Sequence, residues 1–189
     1  MNDIIKKEFN NHIKVANLLH KLNNDVDKAS IICIDCLKKD GKILIFGNGG
    51  SASDAQHIAA EIVGRYKTER KGLSAIALNT DTSLLTAISN DFGYSNVFKR
   101  QVEALANDGD VLIGISTGGS SANVINALKI AKDLGCKTIG LSGKGGGNFN
   151  SICDVNIIVN AEDTARIQEM HIVVGHTICH LIDKAFESS

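Results

Sequence analysis

Two short segments combine glycine with hydroxyl and amide side chains in a way that suits a phosphate. The apolar run Lys42-Ile43-Leu44-Ile45-Phe46 leads into Gly47-Asn48-Gly49-Gly50-Ser51. A second run, Val111-Leu112-Ile113-Gly114-Ile115, leads into Ser116-Thr117-Gly118-Gly119-Ser120-Ser121. Glycine lets the backbone approach an anion closely, and free N–H groups at a helix start donate to its oxygens. Serine and threonine add donors without adding charge. Either Ser120 or Ser121 is expected to cap the following helix, but the hydroxyls here exceed what one cap requires. The natural guest is a phosphate monoester on a small molecule.

Potential proton-transfer or metal-binding groups lie on two helical segments. In helix 52–66, Ala55, Ile58, Ala59, Ile62 and Tyr66 form one stripe. His57 and Glu61 fall roughly 200–240° from Ala55 and point away from the chain's own core. A pair at this spacing is a solvated polar pair, a pocket wall or a one-turn metal-ligand pair, and the residues alone leave these open. The last helix, 164–186, carries Gln168, His171, His176 and His180. Its stripe is Ile167, Met170, Val174, Ile178, Leu181 and Ala185. His171 lies beside the stripe and is expected to be a buried structural histidine. His176 and His180 fall on the other side. Ile172 and Val173 leave apolar groups outside the stripe, which suits a contact with another copy of the chain.

Other motifs are weaker. Gly47-Asn48-Gly49-Gly50-Ser51-Ala52 fits a dinucleotide fingerprint in letter, but the next strand does not end in the acidic residue a ribose needs, and Asp81 reads as a helix cap. Gly143-Lys144 is followed by Gly145, so there is no phosphate loop of the lysine type. No nucleotide cofactor is expected. Cys33 and Cys36 have redox-motif spacing but fall inside a helix, where they read as small packing residues. With five cysteines in all, no disulfide framework is expected.

The elements that must position these groups follow from the apolar runs. Strands are expected at 42–46, 74–78, 110–115, 137–141 and 154–159, short and rich in Ile, Val and Leu, as parallel strands covered on both faces are. Helices are expected at 2–22, 25–39, 52–66, 82–89, 95–106 and 121–134, besides the long final one. Gly143-Lys144-Gly145-Gly146-Gly147 reads as a flexible loop. The pattern gives one α/β domain over 1–189, a doubly wound sheet of about five parallel strands. Its ligands are expected beyond the carboxyl ends of the strands. Residues 1–40 form a helical segment without strands, whose apolar stripe (Ile5, Phe9, Ile13, Ala16) must be buried on the sheet domain or on another copy. A formal net charge of -1 and the lack of a basic run argue against nucleic acid or a membrane surface as partner. The amphipathic start, Met1-Asn2-Asp3-Ile4-Ile5, is unlike a secretory signal, so the expected location is cytoplasmic.

Taken together, these segments resemble the bacterial phosphoheptose isomerases (sedoheptulose 7-phosphate isomerases) of the sugar isomerase, or SIS, fold. The resemblance rests on Gly47-Asn48-Gly49-Gly50-Ser51, Asp54-Ala55-Gln56-His57 with Glu61, Gly64-Arg65-Tyr66, Asn90-Asp91-Phe92-Gly93, Ser116-Thr117, Ser121-Ala122-Asn123-Val124, and Arg166-Ile167-Gln168-Glu169 with His176. It implies an aldose–ketose isomerase that converts sedoheptulose 7-phosphate to D-glycero-D-manno-heptose 7-phosphate, the first step toward the heptose of lipopolysaccharide or capsule. It implies a homotetramer with sites at subunit contacts. By this resemblance Ser116, Thr117, Gly118 and Ser121 hold the phosphate, and Asn48, Gly49, Gly50, Ser51, Asn90, Asp91 and Gln168 contact the sugar. Glu61 is the general base and His176 the general acid. Some members hold zinc through residues matching His57, Glu61, Gln168 and His176, which implies one zinc per subunit. The family commonly has serine where this chain has Gly118. Two alternatives accompany the resemblance: a non-catalytic SIS protein that binds the bacterial replication initiator, and an isomerase of another phosphosugar.

Overall fold

A computed structural model of the chain describes residues 1–187. The apolar runs form β1 (Ile43–Gly47), β2 (Ala75–Ala77), β3 (Val111–Ile115), β4 (Lys137–Gly143) and β5 (Val155–Val159). All pairings are parallel, in the order β2-β1-β3-β4-β5. The helices are α1 (Asn2–Ala16), α2 (Asn23–Lys38), α3 (Gly50–Val63), α4 (Thr82–Phe92), α5 (Val97–Leu105), α6 (Ala122–Asp133), the single turn α7 (Phe149–Ile152) and α8 (Thr164–Ala185). No helix among the described residues is long and apolar enough to cross a membrane.

Strand alternation divides the core into two layers. Ile43 and Ile45 of β1, with Val111, Ile113 and Ile115 of β3, pack against α2, α3 and α8. Leu44, Phe46 and Leu112 face the other way, onto α5, α6 and α7. Successive side chains of a strand point to opposite faces, so β1 and β3 are buried at every position. Each fully buried Ile or Leu contributes about 1.5–3 kcal/mol of transfer free energy. The short edge strand β2 pairs with the first three residues of β1 only.

Four expectations need correction. The first helix does not run through to 22: it ends at Ala16, and a short 3-10 turn spans Leu19–Leu22. His20 Nδ1 lies 2.8 Å from the Asn17 carbonyl and occupies an acceptor the helix would have needed. The helix carrying His57 starts at Gly50 and stops at Val63, so Tyr66 lies beyond it, in the segment that follows Gly64. The helix after Asp81 is longer than expected and takes in Asn90 and Asp91, while Asp81 does cap it, accepting from the Leu84 N–H at 2.9 Å. The glycine cluster 143–147 is a close-packed turn rather than a loose loop. The Asn148 N–H donates to the Gly119 carbonyl at 3.0 Å, and Gly119, at φ 61°, has the carbonyl of Gly146 where a Cβ would point.

The N-terminal helix leaves most of its apolar stripe uncovered. Ile4, Ile5, Phe9 and Ile13 are each more than half exposed. Polar contacts hold α1 to α8, and only the last residues of α1, Val15 and Ala16, pack against Val159, Ile167 and Met170. Arg166 donates to the Glu8 carbonyl (2.8 Å) and carboxylate (2.9 Å) and to Glu169 (2.5 Å), and His12 meets Glu169 at 2.9 Å.

Candidate active site

In this strand order the chain moves outward from β1 to β2 and then returns to β3 on the other side of β1. The crevice beyond the carboxyl ends of β1 and β3 is therefore the switch point where such sheets bind ligands. Both glycine- and hydroxyl-rich loops fall there. Side-chain amides tie them together: Asn48 donates to Asn123 Oδ1 (3.0 Å), and Asn123 donates to Asn48 Oδ1 (2.8 Å). The Tyr94 hydroxyl, just past α4, also donates to Asn48 Oδ1 at 3.0 Å. Asn123 is buried and accepts from the Val124 N–H at 3.0 Å, so it fixes the start of α6 as well.

The hydroxyls are arranged within this frame. Ser121 is the N-cap residue of α6, but its hydroxyl does not cap; it pairs with Ser116 Oγ at 2.9 Å. Two of the expected phosphate hydroxyls are thus neighbours at a helix start. Thr117 and Gly118 are partly exposed beside them. Ser51 is buried in the first turn of α3, under exposed Gly49 and Gly50. Gln168 lies over Gly50, its amide 2.7 Å from where a Cβ on that residue would sit. Asn90 and Asp91 are exposed at the end of α4 and hydrogen-bonded to each other at 2.8 Å.

The remaining groups meet farther along α3 and α8. These two helices lie side by side: Gly175 touches the Ile58 side chain, and no Cβ would fit between them. His57, Glu61 and His176 converge there, with one ligand-type atom of each within 4.8 Å of the others. His57 Nε2 is 3.2 Å from His176 Nε2 and 3.3 Å from Glu61 Oε1. Two facing Nε2 atoms satisfy each other only when one bears the proton. Burial first, and then repulsion from His57 and Lys67, hold His176 below the ordinary histidine range against the pull of Glu61. A neutral imidazole keeps a lone pair available. Two imidazoles and a carboxylate gathered this way form a group that suits a divalent metal with three protein ligands and an open position. Gln168, eight residues before His176, lies about 12 Å back along α8.

His171 is where its stripe placed it. It is fully buried, with Nε2 3.0 Å from the Ser142 carbonyl. Its Nδ1 is buried without a partner among the described residues, and burial pushes its pKa down to about 4. Asp54, one turn before His57, has a buried oxygen without a partner among the described residues. Burial raises its carboxyl to about 6, although His57 pulls the other way.

Residues 9–143 match the SIS domain family. The chain is 61% identical over 184 residues to the phosphoheptose isomerase of Aliarcobacter butzleri, covering 97% of both chains. The chain belongs to the phosphoheptose isomerase family of SIS-domain proteins. The match extends over nearly its whole length: it is 58% identical to the phosphoheptose isomerase of Campylobacter jejuni serotype O:6, over 98% of this chain and 100% of that one. The fold agrees as well. The structure of phosphoheptose isomerase GmhA from Neisseria gonorrhoeae superposes with a TM-score of 0.92 at 45% identity, over 97% of this chain and 98% of that one.

Some residues that build the site were given no role from the sequence. Asn123 and Tyr94 secure the first loop, and Tyr66 stacks on His176 with ring centroids 5.1 Å apart. The signal for Tyr66 was Gly64, a helix stop that takes the tyrosine out of the stripe.

Proposed function

We propose that the protein is the aldose–ketose isomerase that interconverts sedoheptulose 7-phosphate and D-glycero-D-manno-heptose 7-phosphate through an enediol, in the cytoplasm. This is the first step toward the heptose of lipopolysaccharide or capsule. The observation that carries the reading is the convergence of His57, Glu61 and His176 along the helix that springs from the first glycine loop. His57 is seven residues beyond Gly50, or about 10 Å along α3, a span comparable with an extended seven-carbon sugar phosphate.

In this reading Ser116, Thr117, Ser121 and the backbone at Gly118 hold the phosphate. Asn48, Gly49, Gly50, Ser51, Asn90, Asp91 and Gln168 contact the sugar. Glu61 takes a proton from C1 of the ketose and returns it to C2, and the electron pair passes through the C1–C2 double bond of the enediol. His176 supplies a proton to O2 and takes one from O1, so the carbonyl moves from C2 to C1. Each well-placed acid or base of this kind contributes about 10²–10⁴-fold. His57, Glu61 and His176 would hold one zinc per subunit, with Gln168 as a further donor only if a second copy supplied it. Bound there, a divalent cation polarises the carbonyl. A Glu61 engaged by metal is a weaker base, so chelation separates the two roles of this residue.

The assembly in this reading is a homotetramer with sites at subunit contacts. The uncovered stripe of α1 supports it, together with exposed Val173 and Leu181 on α8 and half-exposed His57 on α3. Turnover of sedoheptulose 7-phosphate, assayed before and after chelation and with zinc restored, tests the activity. Absence of turnover under every condition would overturn it. Light scattering during gel filtration tests the assembly, and a monomer at micromolar concentration would refute it.

A further inference from the structure

We propose that Tyr66 is a positioning residue for His176, and that the buried Asp183–Arg70 pair holds it in that place. The inference rests on the isomerase reading above. The orientation of a histidine ring is poorly fixed by its own rotamer, because the torsion into the ring is broad and roughly two-fold. Something outside the side chain must decide which nitrogen faces the reacting groups. Two rings do so for His176. Tyr66 lies nearly parallel to it, with centroids 5.1 Å apart and planes 20° apart. His57 meets it edge-on, at 4.8 Å and 80°. With its plane set by Tyr66, the imidazole directs Nε2 at His57.

A stacking ring in a connecting segment is a fixed wall only if the segment itself is held. Asp183, fully buried near the end of α8, accepts from the Lys67 N–H (2.6 Å) and the Thr68 N–H (2.9 Å), directly after Tyr66. It also accepts from Arg70 Nε at 2.8 Å. The same guanidinium donates through Nη2 to the Glu61 carbonyl (3.1 Å) and through Nη1 to the Ile62 carbonyl (3.0 Å). One buried carboxylate, two turns past His176 on its own helix, therefore joins the backbone of Glu61, the ring of Tyr66 and His176 in one frame. The contact with His176 uses the face of the tyrosine ring and not its hydroxyl, so phenylalanine is expected to serve equally well.

The test compares Tyr66→Phe and Tyr66→Ala in the full chain, by kcat and KM for sedoheptulose 7-phosphate and by thermal midpoint. Tyr66→Phe is expected to keep kcat within about twofold. Tyr66→Ala is expected to lose on the order of 10–10²-fold in kcat, as a misplaced catalytic group does, with KM little changed, as for an interaction made in the transition state. Tyr66→Leu retains apolar bulk without a ring face. It is expected to lose kcat in the same way and covers the case in which the alanine variant does not fold. A second readout does not depend on turnover: in ¹⁵N-histidine-labelled protein, the His176 ring nitrogen resonances, assigned with His176→Gln, report its tautomer and hydrogen bonding. They move in Tyr66→Leu by more than the small change that loss of the tyrosine ring current alone produces, and stay in place in Tyr66→Phe. Wild-type kcat in both Tyr66→Ala and Tyr66→Leu, or His176 resonances that move in Tyr66→Leu by no more than the ring-current change, overturns the proposal. So does a Tyr66→Phe variant as impaired as alanine, which would assign the role to the hydroxyl. If the wild type turns over no sedoheptulose 7-phosphate, the isomerase reading fails, while the resonances still decide whether Tyr66 sets the imidazole.

Discussion

Replacing Asp183 by asparagine should strongly destabilise the protein. The carboxylate is fully buried and receives three N–H donors, from Lys67, Thr68 and Arg70. An asparagine has one acceptor oxygen, and its other side is an NH₂ group that would face one of these donors. The Arg70 side chain, 1% exposed, would lose its only buried counter-charge among the described residues. Removing one partner of a buried pair costs about 3–5 kcal/mol, because the other charge is left uncompensated. That is a large share of a total stability of about 5–15 kcal/mol. For a chain of this size it corresponds to a loss of roughly 6–20 °C in Tm. Urea unfolding and calorimetry at one fixed protomer concentration measure it. The double variant Arg70→Met with Asp183→Leu should be less destabilised than the sum of its single variants, since both charges leave together. Burial disfavours the Asp183 carboxylate, yet the Thr68 and Lys67 amides and Arg70 outweigh it and hold its pKa below the ordinary 3.8. The pair's contribution is therefore present above that ordinary value and is lost as pH falls through the lowered one. A cost under about 1 kcal/mol for Asp183→Asn would refute the account of this pair as a buried, paired charge.

Three further outcomes are expected. Glu61→Gln should lower kcat by about 10²–10⁴-fold while retaining assembly and sugar phosphate binding; near-normal turnover would remove Glu61 from the role of base. Gly118→Ser should lower KM, because its backbone is unstrained and a Cβ there would meet only Ser120 Oγ, at 3.4 Å; an unchanged KM would show that the position is indifferent. His171 titrates near 6.5 when unfolded and near 4 when folded, so its contribution is intact above the first value and is lost as pH falls toward the second, by about 3 kcal/mol in all. Urea unfolding at about pH 7 and pH 5 should show about 2 kcal/mol of that loss, and His171→Gln should flatten it; an equally steep fall in the variant would assign the effect to other groups.

The sequence revealed the sheet and both loops because their signals are local. Ile-, Val- and Leu-rich runs ending in glycine and serine mark strand, turn and helix start within a dozen residues. The helical wheel also turned His57, Glu61 and His176 away from the core, as they are. It did not reveal that α3 and α8 run side by side, because that relation links residues 119 positions apart. A trace of it was present in Gly175. Glycine inside a helix costs about 1 kcal/mol relative to alanine, and here that cost permits Ile58 to pack against the α8 backbone. The glycine cluster 143–147 misled for the same reason, since glycines that admit a neighbouring backbone read in isolation like glycines that loosen a chain. Asp183 and Arg70 carried no pattern at all. An acid near the end of a long helix and a base in a charged connecting segment read as solvated surface, and only the fold brings them to zero and 1% exposure against each other. The candidate groups of the site were thus readable from residue type and spacing, and their proposed roles came from the family resemblance. The groups that hold them in register depend on contacts between distant segments, and perturbing those tests the site's geometry independently of its chemistry.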